Sequence, residues 1–428
     1  MSLENDPEIH VVGTGLDPFS LPPGSARIVK AAEVLFGGRR ILRAFEGHPA
    51  RKIEIRAPVS KTVDAVQQES AAGRRVVILA DGDPGFFGIG KRLVEELGPN
   101  RVCVHPNVTV LQAAASRLKT TWEDVRTVSL HGRTDLWPLR RAVAFEERVG
   151  VYTDSVFDPA RTARELVAMG VKGFRMHVFE DLELASERVR TFEDPASAAG
   201  EGFSSLAFVL LERTQPPPVP RAFGLDDACL EHDRGMITKR EVRAVGLSLL
   251  GIRRRDTVWD LGAGSGAVAV EASILANEGR VYAVERSEER MARIRHNVEQ
   301  TGAYVVEPVH GDMPACLKGL PDPDRIFVGG GVGEPGVLET AMARLRPTGR
   351  MVVHVVLLGS LEKARSVLEK AGWSYTVTQV QVHRSNSLAR DLRLEALNPV
   401  YALCADKPEE ETGKVAGKDA GNMERSSP

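Results

Sequence analysis

Cysteine is scarce and scattered: four thiols, Cys103, Cys229, Cys316 and Cys404, with no CxxC pair, exclude a disulfide framework and a paired-cysteine zinc module. Cys229 and His232 form one isolated CxxH without further ligands nearby, so no metal site is expected. A charge excess is missing too. Lys and Arg number 56 against 58 Asp and Glu, a net charge of −2, which argues against binding dominated by a nucleic-acid backbone. No run approaches the ~18 apolar residues of a membrane span. The opening MSLENDPEIH lacks the basic end and apolar stretch of a secretory leader. A cytoplasmic chain with neither nucleic acid nor membrane as partner is the expectation.

What is present is a globular chain of 428 residues, 43% hydrophobic, too long for one ordinary core. The clearest joint is Gln215-Pro216-Pro217-Pro218-Val219-Pro220, where clustered prolines remove backbone donors and favour an extended segment. Domains are therefore expected at residues 1–215 and 216–404. Residues 405–428, without an aromatic and with almost nothing apolar to bury, read as a disordered tail.

Both halves alternate short apolar runs with helical patterns, the grammar of α/β folds. In the first half, Ile9 to Val12 reads as a strand, Ser25 to Leu35 as helical, and Arg75 to Ala80 and Arg101 to His105 as buried strands. In the second, the strand Thr257 to Leu261 leads through Gly262-Ala263-Gly264-Ser265-Gly266 into a helix, and Glu285 ends the next strand. Glycines there let the backbone approach a ligand at the positive end of a helix. GxGxG differs from the dinucleotide GxGxxG, and Asp260 just before it is placed to order the loop or receive an amino group. S-adenosylmethionine fits better than a dinucleotide, with Glu285 on the ribose and Asp312-Met313 after the third strand near adenine. Small residues at Gly329-Gly330-Gly331 leave room for a bulky carbon nucleophile. Thr238 and Glu241 have capping-box spacing, and Arg240 and Arg243 are candidates for the carboxylates of an acidic substrate.

The stretch GLDDACLEHDRGMITKREVRAVGLSLLGI, followed by DLGAGSG, YAVE, GDMP and FVGGG, resembles the decarboxylating precorrin methyltransferases of cobalamin biosynthesis. A departure is Ile237, where Met often precedes the Thr. The resemblance implies a Rossmann-like class I methyltransferase fold in which Thr238, Gly262 to Gly266, Glu285 and Met313 touch S-adenosylmethionine. In the first half, LADGDPGFFG, HPNVTVLQAAASRLKTTWEDVRTVSLHGR and VYTDSVFDPARTARELVAMG resemble the tetrapyrrole methylase family, carbon-5 branch, over about residues 8–213. That implies two α/β subdomains with a cofactor cleft lined by Gly82, Asp83, Pro84 and Phe87, with Thr109, Thr153 and Asp154 as further candidates. His131 is a candidate for a proton acceptor or a ring contact, with a structural histidine as the plainer reading.

The order of the two modules resembles that of bifunctional precorrin methyltransferases acting at carbons 5 and 15 and decarboxylating the arm at carbon 12. Two S-adenosylmethionine molecules would become S-adenosylhomocysteine, a precorrin would be the partner, and self-association is implied. The rivals are a class I methyltransferase acting on RNA or protein and a non-catalytic S-adenosylmethionine binder. Cobalt-free or cobalt-containing substrate, the order of methylations and the residue driving decarboxylation stay open at this level.

Overall fold

The computed structural model describes residues 9–56, 58–130, 132 and 135–408. The chain divides into two units, Met1–Pro216 and Pro217–Pro428. Each is α/β.

The first unit holds two sheets. Strands β1 (Ile9–Gly13), β2 (Val34–Gly37), β3 (Arg51–Glu54), β4 (Val76–Ala80) and β5 (Val102–His105) form an all-parallel sheet ordered β3-β2-β4-β1-β5. Both faces are covered: Val11, Phe36 and Ile78 pack on one side, Val12, Leu35 and Leu79 on the other, which is why these strands read as continuous apolar runs. The helix expected over Ser25 to Leu35 stops at Lys30, and Val34–Gly37 is a buried strand. Strands β6 (Arg126–Ser129), β7 (Arg148–Tyr152), β8 (Phe174–Glu180), β9 (Arg188–Phe192) and β10 (Ala207–Arg213) make a second sheet, β6-β7-β10-β8-β9, antiparallel except at β6–β7.

The second unit is one seven-stranded sheet. Its strands are β11 (Thr257–Leu261), β12 (Arg280–Glu285), β13 (Val306–His310), β14 (Arg325–Val328), β15 (Arg350–Val355), β16 (Tyr375–Val380) and, after the separate hairpin of β17 (His383–Leu388) and β18 (Asp391–Ala396), β19 (Val400–Asp406). The order is β13-β12-β11-β14-β15-β19-β16. The first five strands are parallel, and β19 runs antiparallel between β15 and β16. The strand order reverses at β11 and β14, so the crevice beyond their carboxyl ends is where a ligand is expected in such a sheet. The expected tail starts too early. Ala405 is 2% exposed and pairs with Met351 and Tyr375, because β19 continues the sheet through Asp406. Residues 409–428 lie outside the described residues. Among the described residues, no helix is long and apolar enough to cross a membrane.

Candidate functional site

In the second unit a cavity of about 720 Å³ opens at the crevice beyond β11 and β14. Gly262, Ala263, Gly264 and Ser265 form part of its wall, as do Thr238 and Gly329. Gly262, Gly264 and Gly266 all have φ between 59° and 78°, the left-handed region that glycine adopts at little cost. At Gly262 a side chain is also excluded by contact, since a Cβ there would lie 2.7 Å from the Gly330 Cα. The small residues after β14 thus serve close backbone packing. Gly266 caps the helix Ala267–Leu275 against Ile294 and stays off the wall.

Glu285 braces this loop. Its carboxylate accepts the Gly264 N–H at 3.0 Å and the Arg286 and Ser287 N–H groups at 3.1 Å each. It is buried behind the cavity wall, so in this structure its carboxylate is engaged with the loop backbone. Asp312 and Met313 are off the wall as well. Met313 packs its Cε under Gly331, where a Cβ would come within 2.8 Å of it.

Asp260 does reach the wall. It is buried, its Oδ2 accepts the Ala269 N–H at 3.1 Å, and burial, with the nearby Glu285 charge, pushes its carboxyl up to about 7. A raised carboxyl pKa favours the folded state while the acid is neutral, and that advantage is lost as pH rises from the ordinary value of 3.8 through 7. Asp260→Asn, which keeps an acceptor for Ala269, should therefore stabilise the second unit by an amount on the order of 2–4 kcal/mol at pH 8 and by almost nothing at pH 4. Denaturant unfolding at the two pH values measures the difference.

The helix Arg240–Leu250 begins differently from expectation. Its N-cap is Lys239, with no side-chain cap, and the Asp227 carboxylate accepts the Arg240 N–H at 2.9 Å. Glu241 is drawn instead to Arg384, at 2.6 Å, which holds its carboxyl below the usual range. Thr238 contributes its carbonyl, accepting from Arg243 Nη1 at 2.6 Å. Arg243 itself is 0% exposed in its side chain: Nε meets Glu271, also 0% exposed, at 2.7 Å, and Nη2 donates to the Leu225 carbonyl at 2.6 Å. Glu271 in turn accepts the Gly224 and Leu225 N–H groups. A substrate carboxylate has no approach to Arg243, which is an internal tie of the fold. Arg240 is off the wall and lies near Asp226 at 3.5 Å.

The basic groups on the wall are others: Lys239, Arg290 and Arg293. The last two stand one turn apart on the helix Glu288–Thr301, a spacing visible in ERMARIRHN but unremarkable without the fold. His354 is a further residue missed. It sits on β15, 8% exposed, on the cavity wall, with neither ring nitrogen hydrogen bonded. Burial lowers its pKa to about 4, so the ring is neutral at physiological pH. Phe327 meets it edge-on at 4.6 Å, and Gly246 has no side chain because a Cβ there would touch the ring at 2.6 Å. Nothing in the strand RMVVHV marks it locally.

The first unit has its own cleft, of about 410 Å³, at the carboxyl ends of β1 and β4. Gly82, Asp83, Thr109, Thr153 and Asp154 are on its wall. Pro84 and Phe87 are not. Phe86 and Tyr152 take their place, with the Phe87 ring edge-on to Phe86 at 5.0 Å and tilted against Tyr152 at 5.3 Å. The Gly13-Thr14-Gly15 turn is explained by contact with the Gly82 turn: Gly82 N–H donates to the Gly15 carbonyl at 2.9 Å, and a Cβ on Gly13 would lie 2.5 Å from the Gly82 carbonyl. The polar side chains are mostly engaged. Asp83 accepts from Gly85 N–H, Thr153 donates to the Ala207 carbonyl, Asp154 accepts from Gly132, Val156 and Phe157, and Thr109 caps the helix Val110–Leu118. What the cleft offers is largely main chain, together with Arg40 paired to Asp81. His131 lies outside the described residues.

Comparison with known proteins agrees with two modules. The family of tetrapyrrole (corrin/porphyrin) methylases matches residues 8–194, and the precorrin methyltransferase domain matches residues 228–407. A precorrin-6Y C(5,15)-methyltransferase (decarboxylating) from Sinorhizobium sp is 36% identical over 355 residues, covering 82% of this chain and 85% of that one. Its namesake from Mycobacterium tuberculosis is 30% identical, covering 82% and 88%. A probable cobalt-precorrin-6B C(15)-methyltransferase (decarboxylating) from Pyrobaculum calidifontis is 42% identical over 42% of this chain and 95% of its own. With an N-terminal tetrapyrrole methylase module and a C-terminal methyltransferase module, and relatives matched over most of both lengths, the chain belongs to the precorrin-6Y C(5,15)-methyltransferase (decarboxylating) family.

Proposed function

We propose that this chain transfers methyl groups from two S-adenosylmethionine molecules to carbons 5 and 15 of a precorrin and decarboxylates the acetate arm at carbon 12, in corrin ring biosynthesis. The first unit acts at carbon 5. The second acts at carbon 15 and releases the carbon dioxide. The observation that carries this reading is the pairing of two separate cofactor-sized clefts, each at the carboxyl ends of parallel strands, in a chain matched by one methylase family per unit. None of the four cysteines is disulfide-bonded, which suits a reducing cytoplasm.

The residues of the second cavity suit the cofactor. Gly264 has nothing within 4 Å of where a Cβ would stand, so the loop backbone is open to close approach, and Asp260 waits on the wall to meet an ammonium. When bound, S-adenosylmethionine supplies an electrophilic methyl group. The protein's task is alignment and exclusion of water, since a sulfonium needs little further activation. Asp260, near neutral when buried alone, is ionised by a cationic amino group beside it. Lys239, Arg290 and Arg293 are the groups on this wall that can receive the carboxylates of an acidic macrocycle. His354, neutral and uncommitted, is the group available to hydrogen bond a substrate carboxyl or ring nitrogen.

Incubating the full chain with precorrin-6B and methyl-labelled S-adenosylmethionine tests the reading. The product mass should show two labelled methyl increments and the loss of one carbon dioxide. Labelled methyl appearing on bulk tRNA or protein, with the precorrin unchanged, would replace the proposal with the class I alternative.

A further inference from the structure

The chemistry above leaves one side-chain cluster unused. His10 on β1 and Cys103 on β5 are direct partners in the parallel register, and His105 stands two residues beyond Cys103, so all three project from one face of two adjacent strands. Their donor atoms lie within 4.8 Å of one another, and each residue is half-buried. Among the described residues this is the only such group of histidine, cysteine and acidic side chains. His10 Nδ1 and His105 Nε2 are 3.1 Å apart. Two Zn–N bonds of about 2.05 Å at the tetrahedral angle span roughly 3.3 Å, so the imidazole pair already stands close to the edge of a coordination polyhedron.

We propose that His10, Cys103 and His105 bind a zinc-class transition-metal ion in the first unit. The donors are two imidazoles and a thiolate, borderline to soft, with no oxygen ligand, which disfavours magnesium and calcium. Because the three side chains are half-buried and two of them stand on β5, the edge strand of the sheet, water completes the coordination. Binding takes the cysteine as thiolate and releases its proton to solvent, with no change in oxidation state. A rigid sheet presents the ligands, so little ordering is needed on binding. The ion would also clamp β1 to β5 at the base of two cleft loops. β1 runs into Gly13–Gly15, and two residues beyond His105 stands Asn107, whose side chain donates to the Gly13 carbonyl at 3.0 Å. The site is a structural or regulatory one beside the carbon-5 cleft and takes no part in methyl transfer.

The test uses the reduced, chelator-stripped full chain, titrated with Zn²⁺ against a chromophoric chelator and, separately, with Co²⁺ as a spectroscopic probe. The wild type should bind one equivalent of Zn²⁺ tightly. Cys103→Ser and His105→Ala should each weaken binding by about 100-fold or more, whereas Cys229→Ser should not. The Co²⁺ adduct should show thiolate-to-metal charge transfer that Cys103→Ser abolishes. His10→Gln, which keeps a polar side chain on the strand, serves if an alanine variant misfolds. Equal Zn²⁺ affinity in wild type, Cys103→Ser and His10→Gln, or a Co²⁺ adduct without the thiolate band, would overturn the proposal.

Discussion

Arg243→Met should unfold the second unit far more readily than it alters substrate affinity. The guanidinium is fully buried between Glu271, the Leu225 and Thr238 carbonyls and Asp227. Removing it leaves Glu271 as an uncompensated buried carboxylate, the situation in which breaking an internal ion pair costs about 3–5 kcal/mol. Glu271 keeps only its two backbone donors, Gly224 and Leu225. A loss of that size is a large part of a domain's stability. Denaturant unfolding of the full chain should show the second unit's transition moved to lower concentration while the first unit's stays in place. At low temperature, where the variant is still folded, its Michaelis constant for the precorrin should match wild type. A raised constant with unchanged stability would return Arg243 to the substrate site.

Gly262→Ala should abolish carbon-15 methylation with carbon-5 methylation intact. The new methyl group would combine a left-handed φ of 70° with overlap of the Gly330 backbone at 2.7 Å, and backbone cannot swing aside as a side chain can. Strain of about 1–3 kcal/mol is the least of it, because relieving the overlap pushes the loop and the segment after β14 apart and spoils the cofactor surface. A fall of about 100-fold or more in carbon-15 product is the expected result for a displacement of this kind. Gly264→Ala is the informative contrast. Its φ is 59° but no atom lies within 4 Å of the Cβ, so the fold should tolerate it while any defect appears in cofactor affinity. Product ratios by mass spectrometry, alongside calorimetric titration with S-adenosylmethionine, separate the two variants. Wild-type carbon-15 methylation in Gly262→Ala would mean that the loop adapts and the close packing is incidental.

These two residues also mark what a linear reading can and cannot find. Gly262 was legible because its role is local: a glycine between a buried strand and a helix announces a tight turn wherever it occurs. Buried parallel strands such as Val76–Ala80 and Thr257–Leu261 were legible for the same reason. Val34–Gly37 was not, since four apolar residues after a helix look like its continuation until the sheet claims them. Arg243 was misjudged because an arginine one turn from Arg240 looks like part of a binding face. The partners that fix it, Asp227 and Glu271, are 16 and 28 residues away. Glu285 was legible as a strand-end acid beside the loop, but nothing along the chain shows that its carboxylate also accepts three neighbouring amides. His354 left no trace at all. Its significance is the absence of a hydrogen-bonding partner in a cavity wall, a property that exists only once β14, β15 and the helix Arg240–Leu250 have come together.

The placement of β19 governs how the second unit can be assembled. The strand enters the interior of the sheet, so β15 and β16 remain unpaired on their facing edges until Val400–Asp406 has been synthesised and threaded between them. Pairing residues 350–355 with 401–406 requires a long loop closure, slow because entropy is lost before any contact rewards it. During that interval β15 exposes an apolar rim of the kind that recruits strands from other molecules. Refolding yield should consequently fall with protein concentration, and a chaperone that shields nascent strand edges should matter more for this unit than its compact final form suggests.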